Sequence, residues 1–405
     1  MHAIMKLCVL AAATCMLLGA AGVRGQTTSG DADPKWRNGL PNDPAYFPIG
    51  VWLQDPRLAS QYQELGINLY VSLWKGPTEQ QLRALREANM RVICSLNDYA
   101  RELLERNDPL LEVVAGWMHQ DEPDNAQRNP EGGYGPPVEP AVIVAGYEAM
   151  KQTDPTRPIY LNLGQGVAWD QWTGRGVRRN KPEDYPQYVQ GSDIVSFDIY
   201  PASSDRAIKG QLWRVGFGVK RLREWSGPDK TIWAHIECTR IRGGEKATPE
   251  QVRAMVWMAL VNGATGIQYF VHEWDSKGKL VSASQLLNDP EMREAVMRIN
   301  QQIHELAPVL NRPSPPDVVT IRSSADNVPI DAMVKRTEDA VYLFAVAMRG
   351  EATTASIQLA GLDGAWRAQV LGEDRTIDIT NGAFEDDFGP WGVHLYRITP
   401  IGATP

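Results

Sequence analysis

Cysteine is scarce in this sequence, with 4 residues in 405. Cys8 and Cys15 fall in an N-terminal apolar segment, which leaves Cys94 and Cys238 and excludes a disulfide framework. Both sit in apolar strand contexts, where a pair of buried free thiols is the expected state. Histidine is also rare, with 6 residues. His119, His235 and His272 are scattered and form no HExxH or CxxC spacing, so neither a metal site nor a cofactor is implied. Excess positive charge is absent: 41 Lys and Arg stand against 49 Asp and Glu, a formal charge of −8. Nucleic-acid binding needs a basic stripe and is set aside. Beyond the N-terminus no apolar run reaches the roughly 20 residues of a membrane span. The first strand ends in Val51-Trp52-Leu53-Gln54 without a Gly-rich phosphate loop, which argues against a doubly wound nucleotide fold.

What is present begins with residues 1–25. Lys6 precedes an apolar run from Leu7 to Ala21, and Val23-Arg24-Gly25 offers a cleavage point before Gln26. That order of basic start, apolar core and small residues is a secretory signal peptide. The expected location is periplasmic or extracellular. A membrane anchor would need a longer run, and Thr14 before Cys15 suits a lipoprotein poorly. Losing Lys6 and Arg24 removes two positive charges, taking the formal charge from −8 to −10.

From Phe47 onward two hydrophobic periods alternate. Buried-strand runs are expected at Ile49–Leu53, Ile67–Leu73, Val92–Leu96, Val113–Met118, Ile159–Leu163, Ile194–Ile199, Ile232–Ile236 and Ile267–Val271. Helical patterns lie between them. Thr78 with Gln81, and Thr248-Pro249 with Gln251, read as capping boxes, and Asp289-Pro290 opens another helix. Eight strand–helix units imply a (β/α)₈ TIM barrel over residues 45–312. Arg312-Pro313-Ser314-Pro315-Pro316 then reads as a rigid linker. Beyond it the period becomes two, with seven short strands, which implies a small antiparallel β-sandwich over residues 313–405.

In such a barrel chemistry sits at the C-terminal strand ends. The fourth expected strand runs out as Met118-His119-Gln120-Asp121-Glu122-Pro123-Asp124, the seventh as Trp233-Ala234-His235-Ile236-Glu237-Cys238. Each places a glutamate where an apolar strand opens into a loop. A pair of carboxyls flanking one bond is what glycoside cleavage requires, one protonated and the other ionised. Trp52, Trp74, Trp169, Trp172 and Trp274 fall at or just past strand ends, where indole faces could stack on sugar rings. The substrate class expected is an oligo- or polysaccharide.

These stretches resemble the large clan of retaining glycosidases with catalytic glutamates on strands four and seven. The resemblance implies Glu122 as acid/base and Glu237 as nucleophile in a double displacement. It also implies Tyr200, in Phe197-Asp198-Ile199-Tyr200-Pro201, as a hydrogen-bond partner of the nucleophile, and Trp274 as the floor of the reacting-sugar site. Asp121 stands where that clan usually has Asn, and would bind the sugar 2-hydroxyl. The clan's customary Arg near the end of strand two has no counterpart here.

Other expectations follow from strand-end position. Trp52, Asn97 and His235 are candidate substrate contacts, although His119 and His235 also suit barrel packing. Asp198 and Glu273 could replace either glutamate as the partner of the other. Arg175, Arg178 and Arg179 could greet an acidic glycan or form a solvated loop. Two rival functions stay open: a non-catalytic carbohydrate-binding barrel, and a metal-dependent hydrolase or lyase using Asp121, Glu122 and Asp198.

Overall fold

The computed structural model describes residues 36–241 and 243–402. The leader expected at 1–25 lies outside the described residues, as does Arg242. Parallel strands β1 (Ile49–Trp52), β2 (Leu69–Val71), β3 (Arg91–Ser95), β4 (Val114–Met118), β5 (Ile159–Leu163) and β6 (Ile194–Phe197) form six successive staves. The seventh is divided into β7 (Thr231–Ile232) and β8 (Ala234–Glu237), and β9 (Ile267–Phe270) is the eighth. β1 pairs with both β2 and β9, so the sheet closes on itself.

The divided stave corrects the expected continuous strand Ile232–Ile236. β7 pairs with β6 while β8 pairs with β9, the change falling at Trp233. The Trp233 indole is fully buried inside the barrel. Gly266 makes room for it, since a Cβ there would lie 2.5 Å from Trp233 Nε1.

Helices α1 (Ala59–Glu64), α2 (Glu79–Glu87), α3 (Asp98–Arg106), α4 (Pro140–Thr153), α5 (Tyr185–Tyr188), α6 (Arg214–Ser226), α7 (Pro249–Val261) and α8 (Pro290–Leu310) cover the outside. Both expected capping boxes form: Thr78 with Gln81 starts α2, and Thr248 with Gln251 starts α7. Each satisfies amide donors that a helix start otherwise leaves bare. Asp289 caps α8 with a single bond, its Oδ1 accepting from the Met292 N–H at 3.2 Å. Alternation along each stave sorts side chains into two cores. Ile232, Ala234 and Ile236 face the helices, whereas Leu69, Ile93, Tyr160 and Trp233 fill the interior.

A short hairpin, β10 (Glu273–Trp274) with β11 (Leu280–Ser282), follows the eighth stave. The C-terminal part is antiparallel: β12 (Val319–Ser323), β13 (Ile330–Arg336), β14 (Val341–Ala347), β15 (Thr353–Leu359), β16 (Ala365–Val370), β17 (Thr376–Thr380), β18 (Ala383–Phe388) and β19 (Val393–Pro400). Their order, β12-β15-β18-β17-β16-β19-β14-β13, encloses a core including Leu343, Ile357, Phe388 and Tyr396. This is the sandwich-like domain expected, with one strand more. It packs directly on the barrel: the rings of Trp257 and Phe344 are 5.2 Å apart, and Arg253 Nη1 donates to the Val393 carbonyl at 2.9 Å.

Candidate active site

A hollow of about 580 Å³ opens at the C-terminal mouth of the barrel. Its floor and walls include Trp52, Asp121, Glu122, Asn162, Asp198, Tyr200, His235 and Phe270, with Asn125, Tyr134, Trp172 and Arg206 toward the rim. Inward alternation explains the floor. Asn162 lies near the end of β5 on the same face as Tyr160, Asp198 follows β6 on the face of Ser196, and His235 shares its face with Trp233.

Glu122 reaches the hollow through an unusual backbone. Its φ is +41°, a left-handed conformation that carries strain for a residue with a side chain. Three bonds hold it there: the Glu122 N–H donates to the Asn162 carbonyl at 3.0 Å, and the Asn125 N–H and Gln127 Nε2 donate to the Glu122 carbonyl at 3.1 Å and 3.3 Å. Gly164 leaves the space that the carboxyl fills, since a Cβ there would stand 3.0 Å from Glu122 Oε1.

The Glu122 carboxyl is hydrogen-bonded to that of Asp198. Burial, then the negative charges of Asp198 and Asp121, push Glu122 well above the usual carboxylate range. Burial also raises Asp198, while the bonds from Glu122 and the Tyr200 hydroxyl pull it back. The shared proton therefore rests on Glu122, which donates to Asp198. Asp121 is reachable by solvent yet ringed by protein in the concave hollow, and this desolvation pushes it up to about 6. Asn162 Nδ2 donates to its Oδ1 at 3.0 Å.

Glu237 lies elsewhere, which corrects the expectation that it faces the hollow. It is fully buried, and the loop after β6 closes over it. Its Oε1 accepts from the Ala202 N–H at 2.6 Å, and its Oε2 accepts from the Ser203 N–H at 2.9 Å and the Ser203 hydroxyl at 2.5 Å. Three donors occupy both oxygens, and burial raises the carboxyl to about 7 against their pull. Glu237 thus clamps the loop that begins with Asp198 and Tyr200. The hydroxyl of Tyr200 accordingly engages Asp198 rather than Glu237.

Trp52 lines the hollow, its ring 5.1 Å from that of His235. His235 lines it too; burial pushes the imidazole down to about 3, so it is neutral. Its Nε2 contacts the Tyr160 hydroxyl at 3.2 Å, while Nδ1 is buried without a partner. Trp274 does not line this hollow. It stacks behind Phe270, centroids 5.5 Å apart, and borders an adjoining hollow of about 330 Å³ that shares Tyr200. Asn97 is a correction as well: its Oδ1 caps α3 by accepting from the Ala100 N–H at 2.9 Å, and its Nδ2 donates to the Pro77 carbonyl. Both ends are spent on structure. Glu273 pairs with Arg240 at 2.8 Å, so it is no partner for either glutamate. His119 packs against α4, with Nε2 3.0 Å from the Ile143 carbonyl.

Phe270, Asn162, Asn125 and Arg206 are lining residues that the sequence reading did not single out. A polar residue inside an apolar stave was the available signal for Asn162. The loop residues carried none. Among the described residues, no group of three or more His, Cys, Asp or Glu side chains converges as metal ligands would.

The fold and hollow together define the class: a closed (β/α)₈ barrel with an acidic, aromatic-walled site at its C-terminal mouth and a trailing β-rich domain. No family profile matches the chain, and no curated protein does. Solved structures do. The chain is similar to a glycoside hydrolase with TM-score 0.55 and 13% identity, covering 89% of this chain and 94% of that one. It is also similar to a catalytic mutant of a GH42 β-galactosidase from G. stearothermophilus, with TM-score 0.54, 8% identity and coverage of 87% and 98%. An α-amylase from Geobacillus thermoleovorans, complexed with acarbose, gives TM-score 0.52 and 12% identity over 88% and 98%. At these identities the likeness is one of fold.

Proposed function

We propose that this protein is an exported glycoside hydrolase whose reacting pair is Glu122 and Asp198. The observation that carries the reading is the hydrogen-bonded carboxyl pair on the floor of an aromatic-walled hollow. One member holds a proton and the other is ionised, which are the two states glycoside cleavage uses. Glu122 protonates the leaving oxygen, and the Asp198 carboxylate attacks the anomeric carbon. Glu122 then deprotonates the water that releases the sugar. A carboxyl pair in contact is nearer to the about 5–5.5 Å of a retaining pair than to the about 6.5–9.5 Å that an inverting pair spans to hold its water, which supports retention. Trp52 and Phe270 supply apolar faces for a pyranose. Asp121 and neutral His235 offer acceptors or donors to its hydroxyls. Export rests on the leader pattern of residues 1–25.

A second reading is favoured by one observation. Glu237, where the resemblance implies a nucleophile, is sealed under a loop, as suits a barrel that binds carbohydrate without cleaving it. A panel of aryl glycosides and polysaccharides, tested with wild type, Glu122→Gln and Asp198→Asn, separates the two. Turnover by wild type alone supports the hydrolase; saccharide binding without turnover supports the binding barrel.

A further inference from the structure

The hollow contains one described cation, and it is not among the arginines that the sequence reading singled out. Arg175 is buried, its Nη2 donating to Asp184 Oδ2 at 2.7 Å and its Nη1 to the Lys181 carbonyl at 2.6 Å. Arg178 also pairs with Asp184. Both brace the loop that walls the site, and neither lines the hollow.

Arg206 does line it. Its guanidinium lies over the Trp172 indole, 5.0 Å from the ring centroid, and its Nη1 donates to Thr173 Oγ1 at 3.0 Å. The ring contact and this bond tether one side of the fork at the rim of the hollow. Its acidic neighbour Asp205 approaches only to 4.0 Å at Nε, and both side chains are partly exposed. A surface ion pair at that distance neutralises little charge. An oriented, half-buried guanidinium with donors to spare is built for bidentate recognition of a planar or tetrahedral anion. The facing floor carries Asp121 as well as the Glu122–Asp198 pair, and the proton shared by that pair lowers, without removing, the negative charge that such a ligand meets.

Resting on the hydrolase reading of this same hollow, we propose that Arg206 selects an anionic saccharide, taking the carboxylate of a uronic acid or the sulfate of a sulfated sugar against the Trp172 wall. Neutral sugars fill the remaining space but leave the guanidinium unpaired.

The test uses the full chain and matched 4-nitrophenyl glycosides: neutral hexosides, the corresponding hexuronides, and 6-sulfated hexosides. The two anionic sets separate carboxylate from sulfate as the source. Expected is a kcat/KM for one anionic set about tenfold or more above its neutral counterpart, the size of a charge-assisted hydrogen bond to a partly exposed guanidinium. Arg206→Gln should collapse that ratio at least about tenfold, with Arg206→Lys intermediate because it keeps the charge and loses the fork. The anionic KM should also rise with added salt. Equal or better turnover of neutral glycosides, or an unchanged ratio in Arg206→Gln, overturns the inference and leaves the hydrolase reading intact. A binding arm keeps the two apart if nothing is cleaved. Calorimetric titration of Glu122→Gln with acidic and neutral disaccharides should then show tighter acidic binding that depends on Arg206. That result upholds the inference while removing the hydrolase; equal binding, or none, overturns the inference.

Discussion

The protonated carboxyl of Glu122 donates its hydrogen bond to Asp198, across the gap between the fourth and sixth staves. The two groups are raised by the same burial but pushed in opposite senses by the bond they share. Burial alone would protonate both. The Tyr200 hydroxyl and the Glu122 proton together keep Asp198 the more acidic of the two, and so assign the roles.

The first prediction concerns that assignment. Glu122→Gln and Asp198→Asn should each lower kcat by about 10³-fold or more, since each removes one of two obligatory protonation roles. Activity should be bell-shaped in pH, limited on the acid side by ionisation of Asp198 and on the alkaline side by loss of the Glu122 proton. Tyr200→Phe deletes a donor that pulls Asp198 down, so its acid limb should move to higher pH. An acid limb unmoved in Tyr200→Phe would refute the assignment.

Stability should carry the opposite signature of the same pair. Asp198 is pushed up to about 7 from an ordinary 3.8. Below the lower value both folded and unfolded chains hold the proton. Between the two values only the folded chain does, so folding becomes less favourable as pH rises. The full penalty, of order a few kcal/mol at about 1.4 kcal/mol per unit, is present above the folded value. Asp198→Asn cannot ionise and still accepts from Glu122. It should therefore be more stable than wild type at pH 8, and the two should converge near pH 4. Urea melts at both pH values measure the difference.

Glu237 supplies the sharpest contrast between sequence and structure. As a loop clamp, Glu237→Gln places an amide against two backbone N–H groups and leaves one of them unsatisfied, at a cost of about 1–3 kcal/mol. A lower Tm is expected, with activity reduced less than in Asp198→Asn. Azide should restore turnover to Asp198→Ala, where a small anion can occupy the emptied nucleophile position, and not to Glu237→Ala. Azide rescue confined to the Glu237 variant would return the nucleophile to the seventh stave.

These contrasts mark what was legible in the residues. The eight staves, both capping boxes and the placement of Glu122 at the barrel mouth follow from periodicity and from local end signals, which are properties of short stretches. The alternation even carries Glu237 to the inner side of its stave, beside His235. What alternation does not contain is the path of the next loop, and the loop after β6 covers Glu237 while Asp198, itself buried, borders the hollow. The strand that the C-terminal sheet adds to those expected, β18, was hidden differently. Its centre, Glu385-Asp386-Asp387, reads as a polar turn. Yet Arg375 Nη1 pairs with Asp386, the Tyr396 hydroxyl donates to it, and Ser356 and Thr354 donate to Glu385 and Asp387 from the neighbouring strand. Partners distant in sequence made an acidic stretch into a strand.

Gly164 offers a test that touches no ionisable group. A methyl placed on its Cα would stand 2.7 Å from Asn125 Nδ2 and 3.0 Å from Glu122 Oε1, closer than either contact tolerates. Gly164 has ordinary extended backbone, φ −81° and ψ −174°, so alanine adds no conformational strain of its own. The clash must be relieved by moving one of the two side chains. Asn125 is tied down by the Trp172 indole, which donates to its Oδ1 at 2.9 Å. Glu122 faces an open hollow and should yield first, turning away from Asp198 and weakening the shared hydrogen bond. Gly164→Ala is therefore expected to fold with a near-wild-type Tm yet lose about 10²-fold in kcat, the scale seen when a reacting group is misplaced by about an ångström. Its alkaline limb should also fall to lower pH, because Glu122 no longer benefits from Asp198 in holding its proton. Kinetics across pH on the aryl glycoside that wild type prefers will decide it: an unchanged limb with reduced kcat would mean that the methyl obstructs substrate instead of displacing the acid.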